Sequence, residues 1–249
     1  MTINDRTAPT TRTRMTPLRR TSLVAGALYL LTFVSIPTLG LYAAVRAPNY
    51  ILGAGPDTPV YIGVILELIV GLAGIGTAVA LYPVLKRQNE GVALALVGSR
   101  TVEAATMFSG VVTLLAVVTL RQSGAGADAL ITSSALISLH DWTFILGQSL
   151  MPAANGLLLG SLLYQSRLVP RALPVLGFVG AGLLLTATTA QVFGVFGYGS
   201  PITGLMAIPI AAWEFSLGIY LVVKGFKPSP ITAEIVDAAA PPDPRVLVS

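Results

Sequence analysis

No cysteine occurs among the 249 residues, which excludes disulfides and thiolate-held metals outright. Histidine occurs once, as His140, so a metal site built on several imidazoles is excluded as well. Charge is the third scarcity. Only 10% of the residues are Asp, Glu, Lys or Arg, whereas a soluble domain needs about 25% to face water. There is no Gly-x-Ser-x-Gly elbow, P-loop or dinucleotide fingerprint. Gly71-Leu72-Ala73-Gly74-Ile75-Gly76 lies inside an apolar run, where glycines serve helix contact rather than phosphate binding. These absences weigh against an enzyme: no catalytic residue, cofactor or metal-ligand set is indicated.

What is abundant is apolar sequence, 54% of the chain. No residue charged at pH 7 interrupts Thr21–Val45, Leu68–Leu85, Ala104–Leu120, Trp142–Ser166 or Ala172–Trp213. A helix needs about 20 apolar residues to cross the hydrocarbon of a bilayer. The last run is too long for one crossing and carries a turn signal, Gly197-Tyr198-Gly199-Ser200-Pro201. Six helices are therefore expected, over Ser22–Val45, Val60–Leu85, Gly91–Leu120, His140–Tyr164, Arg171–Phe196 and Ile202–Val223. The runs are too long and too uniformly apolar for barrel strands, which alternate every second residue. The expected fold is all-α, an integral membrane bundle of six transmembrane helices. The apolar run after Arg19-Arg20 exceeds the 7–15 residues of a signal h-region, so it is read as a retained span.

Arginine and lysine orient the bundle. Arg6, Arg12, Arg14, Arg19, Arg20, Lys86, Arg87, Arg167, Arg171, Lys224, Lys227 and Arg245 all fall on one side, while Arg46 and Arg121 fall on the other. The positive-inside rule makes the richer side cytoplasmic, so both termini are expected there. The net charge of +4 is thereby assigned to anionic lipid rather than to nucleic acid. Residues 1–20 are rich in Thr and Arg, and 227–249 contain Pro241-Pro242-Asp243-Pro244; both are expected to be disordered tails flanking a membrane domain over 21–226.

Ionisable residues at membrane depth mark candidate chemistry, because each costs about 2.5–3.5 kcal/mol at a helix centre. Six qualify: Glu67, Arg100, Glu103, His140, Asp141 and Glu214. A rise of about 1.5 Å per residue places Glu103 and Glu214 near the midplane, Arg100 a turn toward the cytoplasm and Glu67 in the outer half. His140 and Asp141 are expected to open the fourth span near the outer interface. Arg100 and Glu103 are three residues apart and share a helix face. Glu67 is followed by Gly71, Gly74 and Ala78, and Glu214 is bracketed by Ala207, Ala211 and Gly218, small-residue stripes that admit a neighbouring helix. Asp141, Gln148 and Asn155 recur every seven residues beside Pro152. The economical arrangement points all six residues at one shared interior. There, four carboxylates face one certain cation, Arg100, an excess that a cation, a proton or water must offset.

A family likeness runs through the same segments. Its residues are Leu66-Glu67-Leu68-Ile69, Ala80-Leu81-Tyr82-Pro83-Val84-Leu85-Lys86-Arg87, Gly98-Ser99-Arg100-Thr101-Val102-Glu103 and His140-Asp141-Trp142. It continues through Ser166-Arg167-Leu168-Val169-Pro170-Arg171, then Pro209, Glu214 and Val223-Lys224-Gly225-Phe226. In this order they resemble the bacterial membrane family catalogued as domain of unknown function 4386, in which Arg often stands where this chain has His140. The resemblance implies a multi-pass protein of the bacterial plasma membrane, and no activity.

Two functions follow from the residues. One is the handling of a small solute, cation or proton at a buried acidic site between helices. The other is a structural or interaction subunit, homo- or hetero-oligomeric, whose polar residues fix helix packing. An intramembrane enzyme with Glu103 or Asp141 as base ranks third, since no nucleophile accompanies them. The expected partners are the lipid bilayer and a small solute or cation. A reporter fused after Phe226 is expected to be active in the cytoplasm, and one inserted within Ser123–Ala127 outside; the opposite pattern would refute the orientation.

Overall fold

A computed structural model describes residues 15–47 and 49–233. Among these the chain is all helical, with no strand, and six helical segments are long and apolar enough to cross a membrane. They are Pro17–Leu41, Thr58–Leu85, Glu90–Gln122, Gly126–Ser166, Ala172–Val192 and Pro201–Val223. Their starts follow ordinary capping chemistry. Thr16 caps the first by accepting from the Arg19 N–H, with Pro17 in the first turn, and the Asn89 side chain accepts from the Val92 N–H at 3.0 Å.

Two spans are interrupted, and proline explains both. The first was expected as one helix from Ser22 to Val45. Instead α1 (Pro17–Leu31) gives way to a 3₁₀ turn (Thr32–Ser35) and a single helical turn, α2 (Thr38–Leu41). Pro37 has no N–H to donate to the Phe33 carbonyl four residues back, so the α-helical ladder cannot run through this segment. The hydroxyls of Thr32, Ser35 and Thr38 donate to the carbonyls of Tyr29, Thr32 and Ser35, replacing lost backbone bonds where no water is at hand. The second and third spans are continuous, α3 (Thr58–Leu85) and α4 (Glu90–Gln122). The fourth begins well before His140: α5 (Leu130–Phe144) runs through a π-helical turn (Ile145–Leu150) into α6 (Met151–Ser166). Pro152 cannot donate to the carbonyl four residues back, at Gln148, and the widened turn absorbs that loss. The run after Arg171 divides as expected into α7 (Ala172–Val192) and α8 (Pro201–Val223).

Each span packs on its predecessor and the last closes on the first, α1–α3–α4–α6–α7–α8, with α5 beside α4. Glycine sets several of these distances. A Cβ on Gly180 would lie 2.5 Å from the Ile210 backbone N, and one on Gly26 would lie 2.8 Å from the Gly218 carbonyl, so α7–α8 and α1–α8 meet backbone to backbone. Two apolar cores result. One, with Leu81, Leu85, Leu96, Leu162, Trp213 and Leu221, fills the half bearing the Lys86, Arg167 and Lys224 loops. The other, with Val60, Val64, Val111, Leu114 and Val118, fills the opposite half. Outward, Leu72, Val79, Val112, Leu205 and Ile208 form an exposed apolar belt.

The expected tails are shorter than their assigned bounds wherever they are described. Helix α1 already includes 17–20, and the Arg19 guanidinium donates to the Leu221 and Val222 carbonyls at the end of α8, where a cation suits the helix dipole. In the C-terminal tail Lys227 donates its N–H to the Leu168 carbonyl, and the Ser229 hydroxyl donates to the Ser166 carbonyl at 2.6 Å. These bonds tie 227–233 to the turn after α6. The remaining tail residues, 1–14 and 234–249, lie outside the described residues. At the opposite end Asp57 precedes α3 without capping it. Its carboxylate instead accepts from Tyr50, Arg121 and Gln122, and Arg121 also donates to the Gly53 carbonyl.

Two outcomes test this packing. Gly180→Ala is expected to lower the melting temperature in detergent, by overpacking worth about 1–3 kcal/mol, whereas Gly182→Ala, whose Cβ meets nothing within 4 Å, is not. Equal melting for the two variants would refute the close α7–α8 approach. Burial pushes the Asp57 carboxyl up, but the hydrogen bonds from Tyr50, Gln122 and Arg121 outweigh it and hold the group below its ordinary value. A depressed folded pKa stabilises above the unfolded value of about 3.9, and that stabilisation is lost as pH falls through the folded value. The melting advantage of wild type over Asp57→Asn should therefore be full at pH 7 and shrink below about pH 4; a pH-independent difference would count against the clamp.

Candidate functional site

Arg100 is the centre of the bundle's polar interior. It projects from α4 with 4% of its surface exposed. Its Nη1 donates to Glu103 Oε2 at 2.9 Å, and its Nη2 to Glu214 Oε1 at 2.7 Å and to the Tyr29 hydroxyl at 3.1 Å. The Asn155 amide donates to the same Glu103 oxygen at 2.7 Å. Residues from α1, α4 and α8 thus meet at one guanidinium, Asn155 of α6 joins them through Glu103, and α3 passes beside it: a Cβ on Gly74 would lie at an ordinary contact distance, 3.7 Å, from Arg100 Cδ. The structure brings Arg100, Glu103 and Glu214 together.

Glu67 does not reach this group. It is buried, 1% exposed, on α3, and its Oε1 accepts from the Gln148 amide at 3.3 Å. Helical rise accounts for the separation: Glu67 stands about 27 Å above Leu85, whereas Arg100 and Glu103 stand about 15–20 Å above Glu90. The two groups are therefore about one and a half to two helical turns apart in height. Gln148, in the π-helical turn, links them, since it also borders the cavity beside Arg100.

His140 and Asp141 form a third group with a partner the sequence placed elsewhere. Arg46, expected as an outer-loop cation, folds inward: Nη1 donates to Asp141 Oδ1 at 2.5 Å, and Nη2 lies 2.9 Å from His140 Nδ1. A guanidinium only donates, so His140 Nδ1 is the acceptor and the ring is the neutral tautomer protonated on Nε2. The Arg46 guanidinium also covers the Tyr198 ring at 4.1 Å, and Tyr42 meets the His140 ring edge-on. The Arg46–Asp141 pair removes one acid from the expected excess. Across all three groups four carboxylates now face two guanidinium groups.

A cavity of about 180 Å³ adjoins the Arg100 group, bordered by Arg100, Glu103, Glu214 and Gln148 and by the interrupted segment Thr32–Ile36 of the first span. Pro152 and Gly71 complete its wall. Both proline interruptions therefore border the same space. Tyr29, Tyr42, Tyr198 and Arg46 escaped the sequence reading; Asn155 and Gln148 were visible in the seven-residue stripe with Asp141. Nothing in the local pattern distinguishes Tyr29 from any other aromatic in an apolar run. Among the described residues no group of three or more His, Asp or Glu is arranged to hold a metal.

Comparison with known proteins agrees with the likeness read from the segments. The family described as "Domain of unknown function (DUF4386)" matches residues 24–225, from within α1 to just past α8. No curated protein and no solved structure matches. The match takes in all six spans and every residue of the Arg100 group, and the chain belongs to the DUF4386 family.

Proposed function

We propose that this chain is a multi-pass protein of the bacterial plasma membrane, with both termini cytoplasmic, that handles a proton or a small cation at the acidic site between its helices. The observation that carries this reading is the cavity beside Arg100. It is bordered by two carboxylates that share one guanidinium. With both ionised the group holds one net negative charge, which is costly in an apolar interior unless a cation or proton offsets it. At about 30 Å³ per water, the cavity has room for about six water molecules. Sites of this kind, near the midplane and beside interrupted helices, are where membrane carriers hold their ions. The asymmetry of Lys and Arg supports the orientation.

One observation favours the alternative of a structural subunit: Arg100 binds residues from two other spans, as a packing lock would. Flux separates the two. Wild-type protein in liposomes should carry protons or a monovalent cation down an imposed gradient above empty vesicles. Glu214→Gln should cut that flux about tenfold or more, equivalent to about 1.4 kcal/mol, with elution and melting little changed. Flux no higher than in empty vesicles, or equal in the variant, would overturn the proposal. Unchanged flux with a lowered melting temperature would favour the lock.

A further inference from the structure

The cavity beside Arg100 is open on one side, and the chemistry of its opening differs from that of its floor. Ile36, at one end of the lining, is 64% exposed. It belongs to the segment where the first span loses its helix, about 24–26 Å from Arg20 along the bundle, within the outer half of a hydrocarbon layer about 30 Å thick. Phe33 borders the cavity from the same segment and meets Phe215 of α8 edge-on at 5.2 Å. Phe215 is itself half exposed on the lipid-facing side. The lining thus runs from an apolar and aromatic residue pair, Ile36 and Phe33, of which Ile36 is exposed, to the largely buried carboxylates of Glu103 and Glu214.

We infer that the ligand of this site is an amphiphilic ammonium, a cationic head on an apolar tail, which enters sideways from the outer leaflet. This rests on the reading of the Arg100 group as a cation site and names the ligand class it takes. Volume restricts what goes inside: a cavity of about 150 Å³ admits a benzene-sized group, so 180 Å³ holds a small ammonium head but not its tail. Charge selects the head, because two carboxylates exceed one guanidinium. The ring of Phe33 at the entrance offers a face to a quaternary ammonium. The tail stays among Ile36, Phe215 and the surrounding lipid, where it is already solvated.

Titration of the whole protein in nanodiscs of neutral phosphatidylcholine tests this, with decyltrimethylammonium, tetramethylammonium, decyl maltoside and decanoate as probes. Decyltrimethylammonium is expected to bind saturably, one per chain, and about tenfold or more tighter than tetramethylammonium. Glu214→Gln should weaken it by at least about tenfold. Ile36→Trp, at an exposed position that leaves the fold undisturbed, should weaken the tailed cation and spare tetramethylammonium. Neither decyl maltoside nor decanoate should show any dependence on Glu214. If both cations bind alike and Ile36→Trp changes nothing, sideways entry is refuted while a cation site at Glu214 survives. If decyltrimethylammonium binds equally to wild type and Glu214→Gln, or decanoate binds more tightly, the ligand class is refuted. Loss of ion flux in the liposome experiment bears on the proposed function separately, since binding is read here without transport.

Discussion

A guanidinium buried in the middle of an apolar bundle must find acceptors, and this requirement organises the rest of the structure. Taking Arg100 out of water costs several kcal/mol unless its donors are matched. Glu103 is supplied by the same helix one turn on, but Glu214 and Tyr29 come from α8 and α1. Satisfying Arg100 therefore fixes the relative height of three spans, and Asn155, bound to Glu103, adds α6. The glycine contacts follow the same geometry. Gly26 meets Gly218 and Gly180 meets Ile210 because α8 must come close enough to both neighbours to deliver Glu214 at its observed depth.

Helix interruption gives this rigid centre an adjoining space. Pro37 and Pro152 lie on different spans, yet the segments they disturb, Thr32–Ser35 and Ile145–Leu150, border one cavity. Broken backbone is tolerated at membrane depth only where other groups satisfy it or where it lines a cavity. Both conditions hold here: hydroxyls repair the first break, and the second places Gln148 between Glu67 and the cavity. The link through Gln148 from Glu67 to the cavity beside Arg100 thus depends on a proline rather than on any motif of chemistry.

Two cations at the Asp57 end of the bundle serve its packing. Arg46 and Arg121 are the two that the Lys/Arg count sets against the cytoplasmic assignment. Arg46 is paired with Asp141 and Arg121 with Asp57, each against its own acid, and both lie over tyrosine rings. Each is thus held in place by an acid and a ring. The Arg46 pair also caps the polar column above Glu67, placing His140 and Tyr198 over it.

Number and approximate placement of the spans were legible in the sequence, because crossing hydrocarbon imposes length and polarity locally: uncharged runs of the right length admit little but a helix. The Arg100–Glu103 face was legible too, since i,i+3 spacing is a property of one helix. Proline positions were equally visible, yet the consequence of Pro37 for the first span and of Pro152 for the fourth was not. Whether a proline bends, breaks or widens a helix depends on which neighbours repair the freed carbonyls. Glu67 and Arg100 both sit on polar stripes, and nothing within either helix says whether two such stripes meet; helical rise sets them at different heights. Arg46 and Tyr29 could not be found from local pattern at all. Their roles arise where the chain doubles back, so that a loop cation meets Asp141 and a first-span hydroxyl meets Arg100. Spacing within a helix is set by the helix itself, whereas partnership between helices is set by the packing of side chains far apart in sequence, and only the tertiary structure decides it.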